Sequence, residues 1–118
     1  MSFVTLDTNN TRDKAIIESA ISKLEIEIRD LTIRSTMLEK LCKVLYKLCC
    51  ESLEYFRRND SELHTTRQSL ARINIEKAML QQMYTTFVYA LENKHQVLLS
   101  SEEYVKVCSI VKHVTTGE

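Results

Sequence analysis

The stretch IESAISKLEIEIRDLTIRSTMLEKLCKVLYKLCCESLEYF, residues 17–56, decides the fold. Steps of alternately four and three residues from Ile17 meet Ile21, Leu24, Ile28, Leu31, Ser35, Leu38, Cys42, Leu45, Cys49, Ser52 and Phe56, and only the two serines interrupt an apolar or cysteine seam. A 3.5-residue repeat held over nearly six heptads fits neither a strand nor a loop. It predicts one long α-helix whose seam must meet another helix.

Composition narrows the class. One glycine and no proline in 118 residues leave few sites for tight turns and no internal helix breaker, so the expectation is all-α. A chain of this length can bury about two-thirds of its unfolded surface, enough for one domain without staples. Sixteen basic and sixteen acidic residues cancel, which removes the long-range field that nucleic acid or anionic lipid needs for capture. Protein partners are expected, with no nucleic acid and no membrane span, since no stretch approaches the ~18 uncharged residues of a span and the start lacks a signal pattern. Cys42 and Cys49 sit in the seam as small apolar packers, and with Cys50 and Cys108 they are expected reduced, in the cytoplasm or nucleus.

Residues 1–11 read as a flexible extension, with Asn10 or Thr11 accepting the first free amides of helix 1. The single helical domain is expected over 12–116: helix 1 about 12–58, helix 2 about 61–98 after a cap at Asn59, Asp60 or Ser61, and helix 3 about 101–114, opened by a Ser100–Glu103 capping box and stopped by Gly117. Acid-first pairs Glu25/Arg29, Asp30/Arg34, Glu39/Lys43 and Glu54/Arg58 support the exposed face of helix 1. A second capping box at Thr36–Glu39 offers an alternative, a four-helix bundle broken near Ser35. The main expectation is an elongated, coiled-coil-like antiparallel hairpin with a short third helix, helix 1 being ~70 Å long at 1.5 Å per residue.

A reversal near Asn59 pairs residues whose numbers total about 119, setting Cys49 against Leu70, Cys42 against Lys77 and Ile28 against Leu91. The second seam is Leu63, Thr66, Leu70, Ile73, Lys77, Leu80, Tyr84, Phe87, Leu91, Lys94 and Leu98. Helix 3 is too short to reach the turn end. There, Met37, Leu41, Val44 and Leu48 add an apolar stripe beside the seam of helix 1, answered by Ile75, Met79 and Met83 on helix 2. These seven residues are the expected partner interface, for a homodimer or a hetero-oligomer.

No pattern carries catalysis, metal or cofactor binding. Adjacent Cys49 and Cys50 diverge by about 100° on a helix, Cys108 and His113 are five apart, and neither is a zinc spacing. His64, His95 and His113 lie in no local triad, and one terminal glycine cannot build a phosphate loop. Arg57, Arg58, Arg67 and Arg72 are interleaved with Glu51, Glu54, Asp60 and Glu62, the pattern of a solvated mixed-charge face. The reading is a non-enzymatic scaffold or adaptor subunit of the cytoskeletal, kinetochore or vesicle-tethering type.

The segment from Tyr84 through Leu91, Glu92 and Asn93 to Glu102, Glu103 and Tyr104 resembles the end of tubulin-binding cofactor A. That family is a small three-helix bundle that holds β-tubulin, so the resemblance implies a second function: a chaperone-like cofactor binding one client. It covers about a third of the chain; helix 1 is longer here, helix 2 shorter, and no binding residue is carried over.

Overall fold

The computed structural model describes residues 3–116, with side chains over 3–111. In chain order it has β1 (Phe3–Asp7), α1 (Thr11–Glu51), α2 (Leu53–Asn93), β2 (Gln96–Ser100) and α3 (Ser101–Thr116). The class is all-α, with α1 and α2 antiparallel and α3 short. Contacts divide the chain into two compact units: the residues up to Ile28 with those from Leu80 onward, and Arg29–Met79.

The first unit holds both ends of the described chain. Asn10 caps α1 as expected, its Oδ1 accepting from the amides of Arg12 at 2.9 Å and Asp13 at 3.2 Å. Where a flexible extension is expected, the described residues before it form a strand. Phe3–Asp7 pairs antiparallel with Gln96–Ser100 in the register Phe3↔Ser100 to Asp7↔Gln96. Alternation explains both strands, since Leu6, Val97 and Leu99 are buried while Phe3, Thr5 and Leu98 face out. An isolated two-stranded ribbon is marginal in water, and here α3 packs against both strands. Thr8 ties the two connections of this unit together by donating to the His95 carbonyl at 2.9 Å.

Helix α2 therefore ends at Asn93, five residues before the expected Leu98. Lys94 takes the left-handed conformation at φ 55°, and the His95 amide reaches back to the Ala90 carbonyl at 3.0 Å, the long bond of a Schellman cap. Lys94 and Leu98 consequently leave the helical seam; Leu98 lies on the outer face of β2. Helix α3 begins with the expected capping box: the Glu103 amide donates to Ser100 Oγ at 3.1 Å, and the Ser100 amide to Glu103 Oε1 at 3.0 Å. Gly117, the expected stop, lies outside the described residues. The core of this unit is Leu6, Ile17, Ala20, Leu24, Leu80, Met83, Phe87, Ala90, Val97, Leu99 and Val107.

The second unit is a helical hairpin. Helix α1 continues unbroken through Thr36–Glu39, which removes the four-helix alternative. Thr36 spends its hydroxyl on the Thr32 carbonyl at 2.9 Å rather than capping a new helix. Helix α1 ends at Glu51, not Arg58. Ser52 is the cap of α2, its Oγ accepting from the Tyr55 amide at 3.2 Å and its carbonyl from the Phe56 amide at 3.0 Å. The Asn59–Ser61 cluster lies inside α2, where Asn59 donates to the Tyr55 carbonyl at 2.8 Å, and the Glu54–Arg58 pair forms there at 2.6 Å. Ser52 and Phe56, the last two expected seam positions of helix 1, are exposed. Within the hairpin Leu31, Ser35, Leu45, Leu63, Thr66 and Ile73 are buried, while Leu38, Cys42, Cys49, Leu70 and Lys77 are half-buried.

Candidate protein-interaction face

The turn at Ser52 resets the pairing of the helices. In the hairpin unit Ser35 Oγ donates to Asn74 Oδ1 at 2.8 Å, and in the other unit Tyr84 donates to Glu25 Oε1 at 3.0 Å. In both pairs the residue numbers total 109. The expected register of 119 is therefore displaced by ten residues, ~15 Å of helix. Cys49 lies at the level of Asp60 rather than Leu70, and Cys42 at that of Thr66 and Arg67 rather than Lys77. Ile28 is likewise set at the level of Gln81, not Leu91.

Flanks follow from the heptad positions. With the seam at a and d, Tyr46 and Arg67 are both e, and the Arg67 guanidinium lies 5.7 Å from the centre of the Tyr46 ring, as antiparallel pairing of e with e requires. The opposite flank is g with g. On α1 it carries Leu41 and Leu48 at g with Met37 and Val44 at c. On α2 it carries Glu62, Ser69 and Glu76 at g, with Thr65, Arg72 and Met79 at c.

Along this flank Met37 is 64% exposed, Val44 56% and Leu41 39%, while Leu48 is half-buried. The α1 stripe is thus an uncovered apolar line. Its expected answer on α2 is only partly there. Ile75 and Met79 are exposed, at 69% and 45%, but the register sets them at the levels of Arg34 and Asp30, not opposite Val44. Ile75 falls at f, further round the outside of α2. Met83 is buried, being packed in the first unit beside Leu80, Phe87 and Ala90, and it is not an interface residue.

The turn end adds exposed apolar side chains, of which only Phe56 is an expected seam position. Leu53, Tyr55 and Phe56 are exposed, and Arg58 lies 5.7 Å from the centre of the Tyr55 ring. Nearby, burial pushes the Cys49 thiol above its usual pKa, aided by the charge of Asp60. Among the described residues no three His, Cys, Asp or Glu side chains are grouped to hold a metal ion, and no helix is long and apolar enough to cross a membrane. The His113 side chain lies outside the described residues.

In the first unit an open groove of about 420 Å³ is lined by Thr8, Asn9, Thr11, Lys14, Leu91 and Lys94. Asn10 already holds the first amides of α1, and the adjoining C-terminus of α2 carries the negative pole of that helix, which opposes anion binding. Compared with protein-family models, curated proteins and solved structures, the chain shows no match.

Proposed function

We propose that the protein is a non-enzymatic coiled-coil interaction module, a scaffold or adaptor subunit that assembles through helix-on-helix contact along α1. The observation that carries this reading is the exposed line Met37, Leu41 and Val44, continued by half-buried Leu48. It flanks a hairpin seam that is itself thin, with Ser35 and Thr66 among its buried positions and Lys77 half-buried on α2. Two helices cannot cover a third stripe, and burying one such side chain under a partner is worth on the order of 1–2 kcal/mol. A cytoplasmic or nuclear setting belongs to this reading, with Cys42 and Cys49 as reduced packing residues.

The test replaces Met37 and Val44, whose exposure leaves the hairpin seam intact. The Met37→Glu, Val44→Glu double variant is expected to keep its helix content by circular dichroism and to lose stripe-dependent association, whether with itself or with an α-helical partner identified by pull-down from the native host. Unchanged association with unchanged helicity would sink the reading. A monomer that instead co-elutes with unpolymerised tubulin, in the variant as in the parent chain, would support the client-binding cofactor implied by the Tyr84–Tyr104 resemblance.

A further inference from the structure

We propose that β2 pairs edge to edge with β2 of a second copy, antiparallel about a two-fold axis at Leu98, so that two ribbons join into one four-stranded sheet. The contact lies in the first unit and makes no use of the α1 stripe, so it goes beyond the reading above. Among the described residues the ribbon has two strands; β2 meets β1 along one edge and no strand along the other. Natural edge strands are usually protected by charge, proline or a bulge. Gln96-Val97-Leu98-Leu99-Ser100 contains no charged residue, proline or glycine. β1 is the poorer edge, because the Asp13 carboxylate already holds the Asp7 amide at 3.1 Å, and a two-fold at Thr5 would set Phe3 against Asp7 of the second copy.

The strand is its own complement. With Leu98 opposite Leu98, Val97 meets Leu99 and Gln96 meets Ser100, apolar on apolar and uncharged polar on polar at every position. This register keeps the buried face of Val97 and Leu99 on the same side in both copies, and it sets Leu98, 64% exposed, against its counterpart on the other side. Other registers lose the match. An axis at Val97 pairs Leu98 with Gln96 and Leu99 with His95; an axis at Leu99 pairs Leu98 with Ser100 and Val97 with Ser101. An axis between two residues would place the buried face of one ribbon beside the outer face of the other. The Ser100 amide stays with Glu103 Oε1 at 3.0 Å, which ends the new ladder there. A foreign strand would have to supply three apolar residues between uncharged polar ones, whereas a second copy presents them by construction, and a two-fold contact needs only one self-complementary patch. Doubling the strand number also relieves the marginal stability of a two-stranded ribbon.

Sedimentation equilibrium of the full chain across concentration tests this, with circular dichroism as the folding control. A monomer–dimer equilibrium is expected, weakened on the order of tenfold or more by Leu98→Lys and by Leu98→Glu separately, since each sets like charges face to face across the axis. An equimolar mixture of the two variants is expected to dimerise again, because residue 98 faces itself. In the parent chain, amide exchange within Gln96–Ser100 is expected to slow as concentration rises, a readout that needs no substitution. A monomer at every concentration overturns the proposal. So does a dimer that is indifferent to the Leu98 variants, that the mixture fails to restore, or that leaves exchange in β2 unchanged. The β2 dimer is expected to persist in Met37→Glu, Val44→Glu, where loss of capture of a different helical protein is read separately and bears on the helix-association reading alone. A dimer lost in that variant but kept in Leu98→Lys overturns the β2 contact and supports the stripe.

Discussion

Asn10 shows how much one side chain settles. Its Oδ1 takes two of the orphan amides at the start of α1, and its amide donates to the Asp7 carbonyl at 2.9 Å, closing the turn out of β1. Asn10→Ala is expected to lower stability by about 1 kcal/mol, read as a shift in the urea midpoint with an unchanged slope. Tyr84 carries a pH-dependent contribution. Its hydrogen bond to Glu25, then the Glu25 charge and then burial raise the phenol pKa above its usual value. The folded state therefore holds that proton more tightly than the unfolded chain. The stabilisation is complete below the ordinary phenol pKa of about 10 and is lost as pH rises through the higher folded value. Tyr84→Phe is expected to remove one late-ionising component of the alkaline phenolate absorbance titration and to flatten that loss of stability. Unchanged curves would mean that the Tyr84–Glu25 bond is not held in solution.

The boundaries of the elements depend on competition among caps. Both Ser52 and the Asn59–Ser61 cluster are able to start a helix, and the cluster has the stronger composition. Leu63 and Thr66 are seam positions in either register; with the turn at Ser52, Cys42 lies at the level of Thr66, whereas a start at Asn59 would set the charge of Lys77 there. At α3 no competitor exists, and the Ser100–Glu103 box forms as the spacing predicts. Ser100→Ala, removing the acceptor of the Glu103 amide, is expected to cost about 1 kcal/mol and to speed amide hydrogen exchange in the first turn of α3 ahead of the rest. At the other end of the ribbon, Lys94 holds φ 55° without a glycine. Lys94→Gly is expected to raise stability by roughly 0.5–1 kcal/mol in thermal unfolding, because a side chain at this position carries the Cβ penalty of the left-handed region.

At the scale of the whole molecule the two units differ in what holds them. Ile17, Leu24, Phe87 and Val107 are fully buried in the first. The hairpin includes buried Ser35 and Thr66, and its cysteines Cys42 and Cys49 are only half-buried. Local opening free energy follows apolar contact density. Amides in Arg29–Met79 are therefore expected to exchange faster than those of the first unit at low protein concentration. Equal protection of the two units would contradict the difference in packing.

Much of this was legible in the chain itself. The 3.5-residue repeat, the scarcity of glycine and proline, and the caps at Asn10 and Ser100 determined an all-α protein with a long first helix and a short third, because periodicity and capping are local properties of neighbouring residues. The stripe Met37, Leu41, Val44 and Leu48 was legible for the same reason. The sequence did not reveal the ribbon, since Phe3–Asp7 and Gln96–Ser100 lie nearly the whole chain apart and each is too short to announce a strand without its partner. The register, the exposure of Phe56 and the burial of Met83 were decided only by tertiary structure. Each depends on which of two possible caps the hairpin turns at, and that choice is made by summed side-chain packing across the pair of helices, not by any residue acting on its neighbours.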